Sequence, residues 1–151
     1  MKNKISRMFL VIVTGCLFLA ISVSPAFAAT AIGGTSYTTC GSRTYGVYSR
    51  IDTTSSVIAA TLVGCTSGGS LNGGYAGITP RLYTSNGTLK VTGVLVYNGS
   101  SYPQGNYYSS SLITSVPSGN IYYSHGTAVV WNTSTSGYVG ATSTRSPNLN
   151  F

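Results

Sequence analysis

Residues 74–98, GYAGITPRLYTSNGTLKVTGVLVYN, decide the fold. Two alternating runs meet at Asn86-Gly87, and Asn-Gly between such runs is a strong short-range signal for a β-hairpin. A two-residue turn there sets Thr84 opposite Leu89, Leu82 opposite Val91, Pro80 opposite Gly93, Ile78 opposite Leu95 and Ala76 opposite Tyr97. One face is then apolar throughout, and Ile78, Leu82, Leu89, Val91 and Leu95 are the expected core. The other face sets Tyr83 beside Lys90 and Arg81 beside Thr92, cross-strand neighbours suited to solvent or to a partner. Pro80 has no N–H to give to a ladder, which places the first arm at a sheet edge or at a bulge.

Working outward, residues 44–51 and 56–63 are strand-like and are separated by Asp52-Thr53-Thr54-Ser55, where the Asp52 side chain is expected to accept backbone N–H groups and fix a turn. Residues 29–36 suit a loose start or a short edge strand, and the glycines of residues 66–74 suit a connection. Beyond the central hairpin, residues 107–115, 121–131 and 137–144 are further strands, punctuated by Asn98-Gly99 and by Pro117-Ser118-Gly119. Within residues 121–131 the alternation puts Ile121, Tyr123, His125, Thr127, Val129 and Trp131 on one face. Seven to eight short strands with turns between them, and no helix pattern after the first residues, predict an all-β domain. Its form is an antiparallel β-sandwich or a small barrel.

The chain begins with Lys2, Lys4 and Arg7, then an apolar run over residues 8–21, then Ala26-Phe27-Ala28, the small-x-small pattern of a signal peptidase site. Residues 1–28 are therefore expected to be a secretory leader, and residues 29–151 a single exported domain. Lipid attachment at Cys16 in Val13-Thr14-Gly15-Cys16 is the competing reading; it would leave an exposed apolar tail over residues 17–23. The exported part keeps Cys40 and Cys65, and export favours their oxidation to one disulfide. Closing a loop of about 25 residues contributes roughly 3 to 4 kcal/mol in the chain-entropy description.

The pattern of Gly74-Tyr75-x-Gly77, Arg81-Leu82-Tyr83-x-Ser85-x-Gly87 and Arg145-Ser146-Pro147 resembles small exported proteins of Gram-positive bacteria. The resemblance implies secretion and an all-β fold. It carries no activity and no functional residue.

Counting excludes several chemistries. Asp52 is the one acidic side chain in 151 residues, so paired-carboxylate catalysis and a hard-cation site have no ligands to use. His125 is the one histidine, too few for a zinc site once the cysteines are bridged. No phosphate loop and no Gly-x-Ser-x-Gly elbow occurs, so neither a cofactor nor enzymatic activity is expected, and His125 and Asp52 are assigned structural roles. After the leader, five scattered basic residues face one acid, with no run suited to a nucleic-acid backbone.

What remains is aromatic: all twelve tyrosines and Trp131 lie beyond the leader. Tyrosine is a favoured strand residue that covers small cores well, yet Tyr107-Tyr108 and Tyr122-Tyr123 must each send one ring to each face of a strand. The candidate binding residues are Arg81, Tyr83, Lys90, Tyr108 and Tyr122. A tyrosine face with a few bases is suited to a cell-wall polymer, a carbohydrate, a protein or a membrane surface. Two alternatives stand beside this: a toxin-like or antimicrobial protein acting on the envelope of other cells, and a component that self-assembles through edge strands.

Overall fold

A computed structural model describes residues 28–151, so the expected leader lies outside the described residues apart from Ala28. The described secondary structure is entirely β. Three antiparallel sheets form and none closes, which removes the barrel alternative.

The first sheet contains β1 (Ala29–Ile32), β2 (Ser36–Cys40), β3 (Arg43–Thr53), β4 (Val57–Ser67) and β9 (Tyr107–Thr114), in the order β1-β3-β4-β9 with β2 also on β3. The expected hairpin of residues 44–63 is present as β3 and β4. Asp52 has a different task from the turn-fixing one expected of it. The strand continues through Thr53, and the Asp52 carboxylate accepts from Thr30 Oγ1 at 2.6 Å and Arg50 Nε at 2.9 Å, fastening β1 to the sheet. On the outer side of β4, the Tyr107 ring crosses Gly64, where a Cβ would lie 3.0 Å from it, and meets Tyr48 edge-on at 5.1 Å.

The remaining strands are β5 (Ala76–Thr79), β6 (Arg81–Thr84), β7 (Leu89–Thr92), β8 (Val96–Tyr97), β10 (Ile121–Ser124), β11 (Thr127–Asn132), β12 (Gly137–Thr142) and β13 (Leu149–Asn150). They form two four-stranded sheets, β13-β10-β6-β7 and β12-β11-β5-β8. The central hairpin is thus divided between two sheets. The division falls at Pro80, which interrupts the ladder while its carbonyl still accepts from Gly93 N at 2.8 Å, and at His125-Gly126 on the neighbouring strand.

The hairpin keeps its expected register only in the middle, where Arg81 pairs with Thr92 and Leu82 with Val91. At the tip the loop has three residues, Ser85-Asn86-Gly87. Thr84 N donates to Thr88 O, Gly87 N donates to Thr84 O, and Gly87 alone takes a positive φ, 89°. This is a type I turn followed by a glycine bulge, where the two-residue turn would need positive φ at Asn86 as well. The extra residue is Lys90, so Tyr83 pairs with Leu89. At the base, Gly77 pairs with Tyr97 and Ile78 with Val96, again one residue from expectation. A one-residue slip turns side chains to the other face. Leu89 and Leu95, expected in the core, therefore face outward, 48% and 47% exposed, while Ile78 and Leu82 are buried as expected.

The five-stranded sheet packs across β5, β6, β10 and β11. The interior has two apolar clusters: Tyr45, Val47, Val63, Leu71, Ile78 and Val130 among others in one, and Ile51, Val57, Ala59, Leu82 and Tyr122 in the other. Between them runs a seam of hydroxyls. Ser49 Oγ and Ser143 Oγ lie 2.6 Å apart, and both accept from Gly126 N, at 3.1 and 3.0 Å. Ser124 Oγ donates to Ala60 O, and Ser146 Oγ accepts from Ser124 N.

The expected disulfide is not formed. Cys40 and Cys65 are separate buried thiols of the first cluster. Cys40 ends β2 and Cys65 lies on β4, on opposite sides of β3. Two strand spacings amount to about 9.5 Å, beyond the Cα separation of about 4.4 to 6.8 Å that a disulfide bridges. Burial pushes both thiols upward from their ordinary ionisation, and Cys65 Sγ donates to Ser67 O at 3.0 Å.

Candidate functional site

Alternation along the buried residues Ala76, Ile78 and Leu82 puts Tyr75, Gly77, Thr79, Arg81 and Tyr83 on the outer side of β5 and β6. The neighbouring strands present Tyr123, His125, Thr127, Val129 and Trp131 to the same side, because Tyr122, Ser124, Ala128 and Val130 point inward. This outer face has an aromatic end and a cationic end.

The aromatic end is built over Gly77. A Cβ there would lie 3.0 Å from each of Leu95, Tyr97 and Val129, so glycine lets these side chains close over the strand. Trp131 pairs across β11 and β12 with Tyr138, and their rings meet at 5.1 Å; Tyr138 meets Tyr97 at 5.3 Å, and Tyr75 lies 5.9 Å from Trp131. Tyr138 and Tyr97 are 46% and 43% exposed, and beside them Val94 is 76% exposed. Several contacts hold the rings in place. Tyr138 Oη donates to Gly74 O at 2.5 Å, Arg43 lies over the Tyr75 ring at 5.3 Å, and Tyr45 Oη donates from the core to Trp131 O at 2.9 Å. Burial pushes the Tyr45 phenol up to about 12, with Arg43 opposing the shift.

At the cationic end, Tyr83 and Tyr123 are paired across β6 and β10 and stack at 5.2 Å with their planes 7° apart. Arg145 lies over the Tyr123 ring at 4.0 Å, and His125 lies 6.1 Å from Tyr83 on the other side. Arg81 is the cross-strand neighbour of His125, whose N–H donates to Arg81 O at 3.2 Å. Arg145 Nη2 donates to Asn148 Oδ1 at 2.7 Å.

Of the residues singled out in the sequence, the structure brings together Arg81 and Tyr83. Lys90 is exposed on β7 at the bulge beside Tyr83. Tyr108 is half-buried on β9 of the other layer, with its ring 5.8 Å from Tyr102 and its hydroxyl 3.4 Å from Tyr97 O. Burial raises its phenol from the ordinary value. Tyr122 is a core residue, 2% exposed, so its outward placement is corrected; its neighbour Tyr123 turns to the other side of the strand but is itself only 7% exposed, covered by Tyr83 and Arg145. Tyr75, Tyr97, Tyr123, His125, Trp131, Tyr138 and Arg145 are additional members of the face. The grouping of Tyr123, His125 and Trp131 by alternation was the signal for three of them.

The face can stack on planar or ring-shaped groups and pair with negative charge. His125 and Asp52 are not brought together, since Asp52 is engaged by Arg50 and Thr30 while His125 faces Tyr83. Among the described residues no three His, Cys, Asp or Glu side chains converge, and no helix is long and apolar enough to cross a membrane. In comparisons with known proteins, no family model, curated protein or solved structure matches the chain.

Proposed function

We propose that the protein is a secreted, non-enzymatic β-sandwich that binds a polysaccharide-bearing polymer of the cell surface through the outer face of β5, β11 and β12. The observation that carries this reading is the continuous run Tyr75, Trp131, Tyr138 and Tyr97, each ring within 6 Å of the next. Rings packed edge to face on one another, with Tyr138 also bonded to Gly74 O, lose little freedom on binding, and sugar rings stack on such platforms through their apolar faces.

Trp131 is the one tryptophan of the chain and lies in the middle of the platform, so its fluorescence reports directly on occupancy. Titration with suspended cell walls, cellulose and chitin fragments is expected to shift its emission. Tyr138→Ala, which keeps the reporter, is expected to cost about 2 kcal/mol of binding, roughly thirtyfold in affinity. Retention of none of these materials, or unchanged retention in the Tyr138→Ala protein, would sink the proposal.

The exposed segment Val94-Leu95-Val96 favours a second reading, the toxin-like action on other envelopes, because apolar side chains beside an aromatic girdle suit a membrane interface. Dye release from anionic vesicles without any retention on walls would select it.

A further inference from the structure

The cationic end of the outer face has a chemistry that neutral sugars do not use. Arg81, His125 and Arg145 flank the parallel Tyr83 and Tyr123 rings, with Lys90 on the adjoining strand. None of them has an internal counter-charge, because Asp52, the one carboxylate side chain of the sequence, is held on the opposite layer by Arg50 and Thr30. Arg81 Nε is buried and has no acceptor among the described residues. A buried donor without an acceptor is costly, and an oxoanion is the acceptor that a guanidinium fork fits best. Arg145 lies 4.0 Å over the Tyr123 ring, within cation–π range, and donates to Asn148, so it is set in place before a ligand arrives.

We propose that this corner binds the oxoanion groups of the polymer, phosphate or sulfate esters or carboxylates, so that the ligand is an anionic glycan. The proposal rests on the polymer-binding reading in so far as the aromatic end receives the sugar rings. The two ends then divide the work: Trp131 and Tyr138 stack, while Arg81 and Arg145 supply charge-assisted hydrogen bonds and His125 a ring N–H donor in either protonation state.

The test is binding of the purified protein to phosphocellulose and to unmodified cellulose at low salt. Phosphocellulose is expected to bind more tightly. Arg81→Gln and Arg145→Gln should each remove about tenfold of that affinity, bringing phosphocellulose down toward the affinity for cellulose. Arg81→Lys keeps the charge without the fork and should also lose most of the advantage, with folding checked by Trp131 emission. Arg50→Gln removes the same charge from the opposite layer and should change binding less than about twofold. Equal affinity for both materials, or equal losses in all the arginine variants, would overturn the proposal, the second because it would show adsorption by net charge alone. Binding to phosphocellulose that depends on Arg81 and Arg145, with no binding to cellulose, would leave the anion corner standing and remove the stacking reading.

Discussion

At Gly126 the backbone passes between two layers through a space that no side chain could share. A Cβ there would overlap Thr61 Oγ1 and lie 2.7 Å from Thr79 O, while its N–H is already shared by Ser49 and Ser143. Gly126→Ala is expected to destabilise the protein by about 3 kcal/mol in urea unfolding, since overpacking in a closed core cannot relax cheaply. Tyr45 gives a second residue-level expectation. Its phenol is raised to about 12 in the folded protein, from an ordinary 10.0, by burial. The folded state therefore holds its proton longer than the unfolded chain. The stability Tyr45 contributes is intact below pH 10 and is lost as pH rises toward 12, which alkaline unfolding followed at Trp131 should show, with Tyr45→Phe flattening the loss. Single residues were the least legible part of the sequence. In Tyr122-Tyr123, alternation guarantees that one ring points in and one out, but only the facing layer decides which. The separation of Cys40 from Cys65 depends likewise on β3 lying between them, which spacing along the chain does not encode.

Elements were easier to foresee than their registers. The hairpins and the strands of residues 107–115 and 137–144 follow from alternation and turn residues, because those signals are local, whereas the two-residue β13 carries no such signal. The central hairpin failed at two points for a shared reason: a bulge costs little and leaves no mark in composition. Asn86-Gly87 fits both a two-residue turn and the second half of a three-residue loop, and the irregular Val94-Leu95 step adds a residue on the second arm. Each slip moves a leucine from the core to the surface. The result is a short outer arm, β7 and β8, with Val94, Leu95 and Val96 exposed along a sheet edge. Such edges invite pairing with other chains, and a charge is the usual protection. Val94→Lys is expected to change folding stability by less than about 0.5 kcal/mol while lowering concentration-dependent association in sedimentation velocity.

For the whole molecule, the low charge and the single acidic side chain were readable by counting, and they explain why the cationic corner has no carboxylate side chain beside it among the described residues. The contiguity of the aromatic face was not readable, because Tyr75, Tyr97, Trp131 and Tyr138 come from strands far apart in sequence and meet only through the pairing of β5, β8, β11 and β12. The division of the interior also belongs to this scale. β3 and β4 run unbroken past both apolar clusters, whereas the layer facing them is interrupted at Pro80 and at His125-Gly126, over the hydroxyl seam. One layer is thus continuous and the other is jointed, with the run Tyr75, Trp131, Tyr138 and Tyr97 on one leaf and Arg81 with the Tyr83–Tyr123 stack under Arg145 on the other. In the proposed mode of binding, a short ligand that touches a single leaf would leave the joint as it was. A long one that engages both would be a splint across it, so chain length in the ligand would be felt as rigidity in the protein.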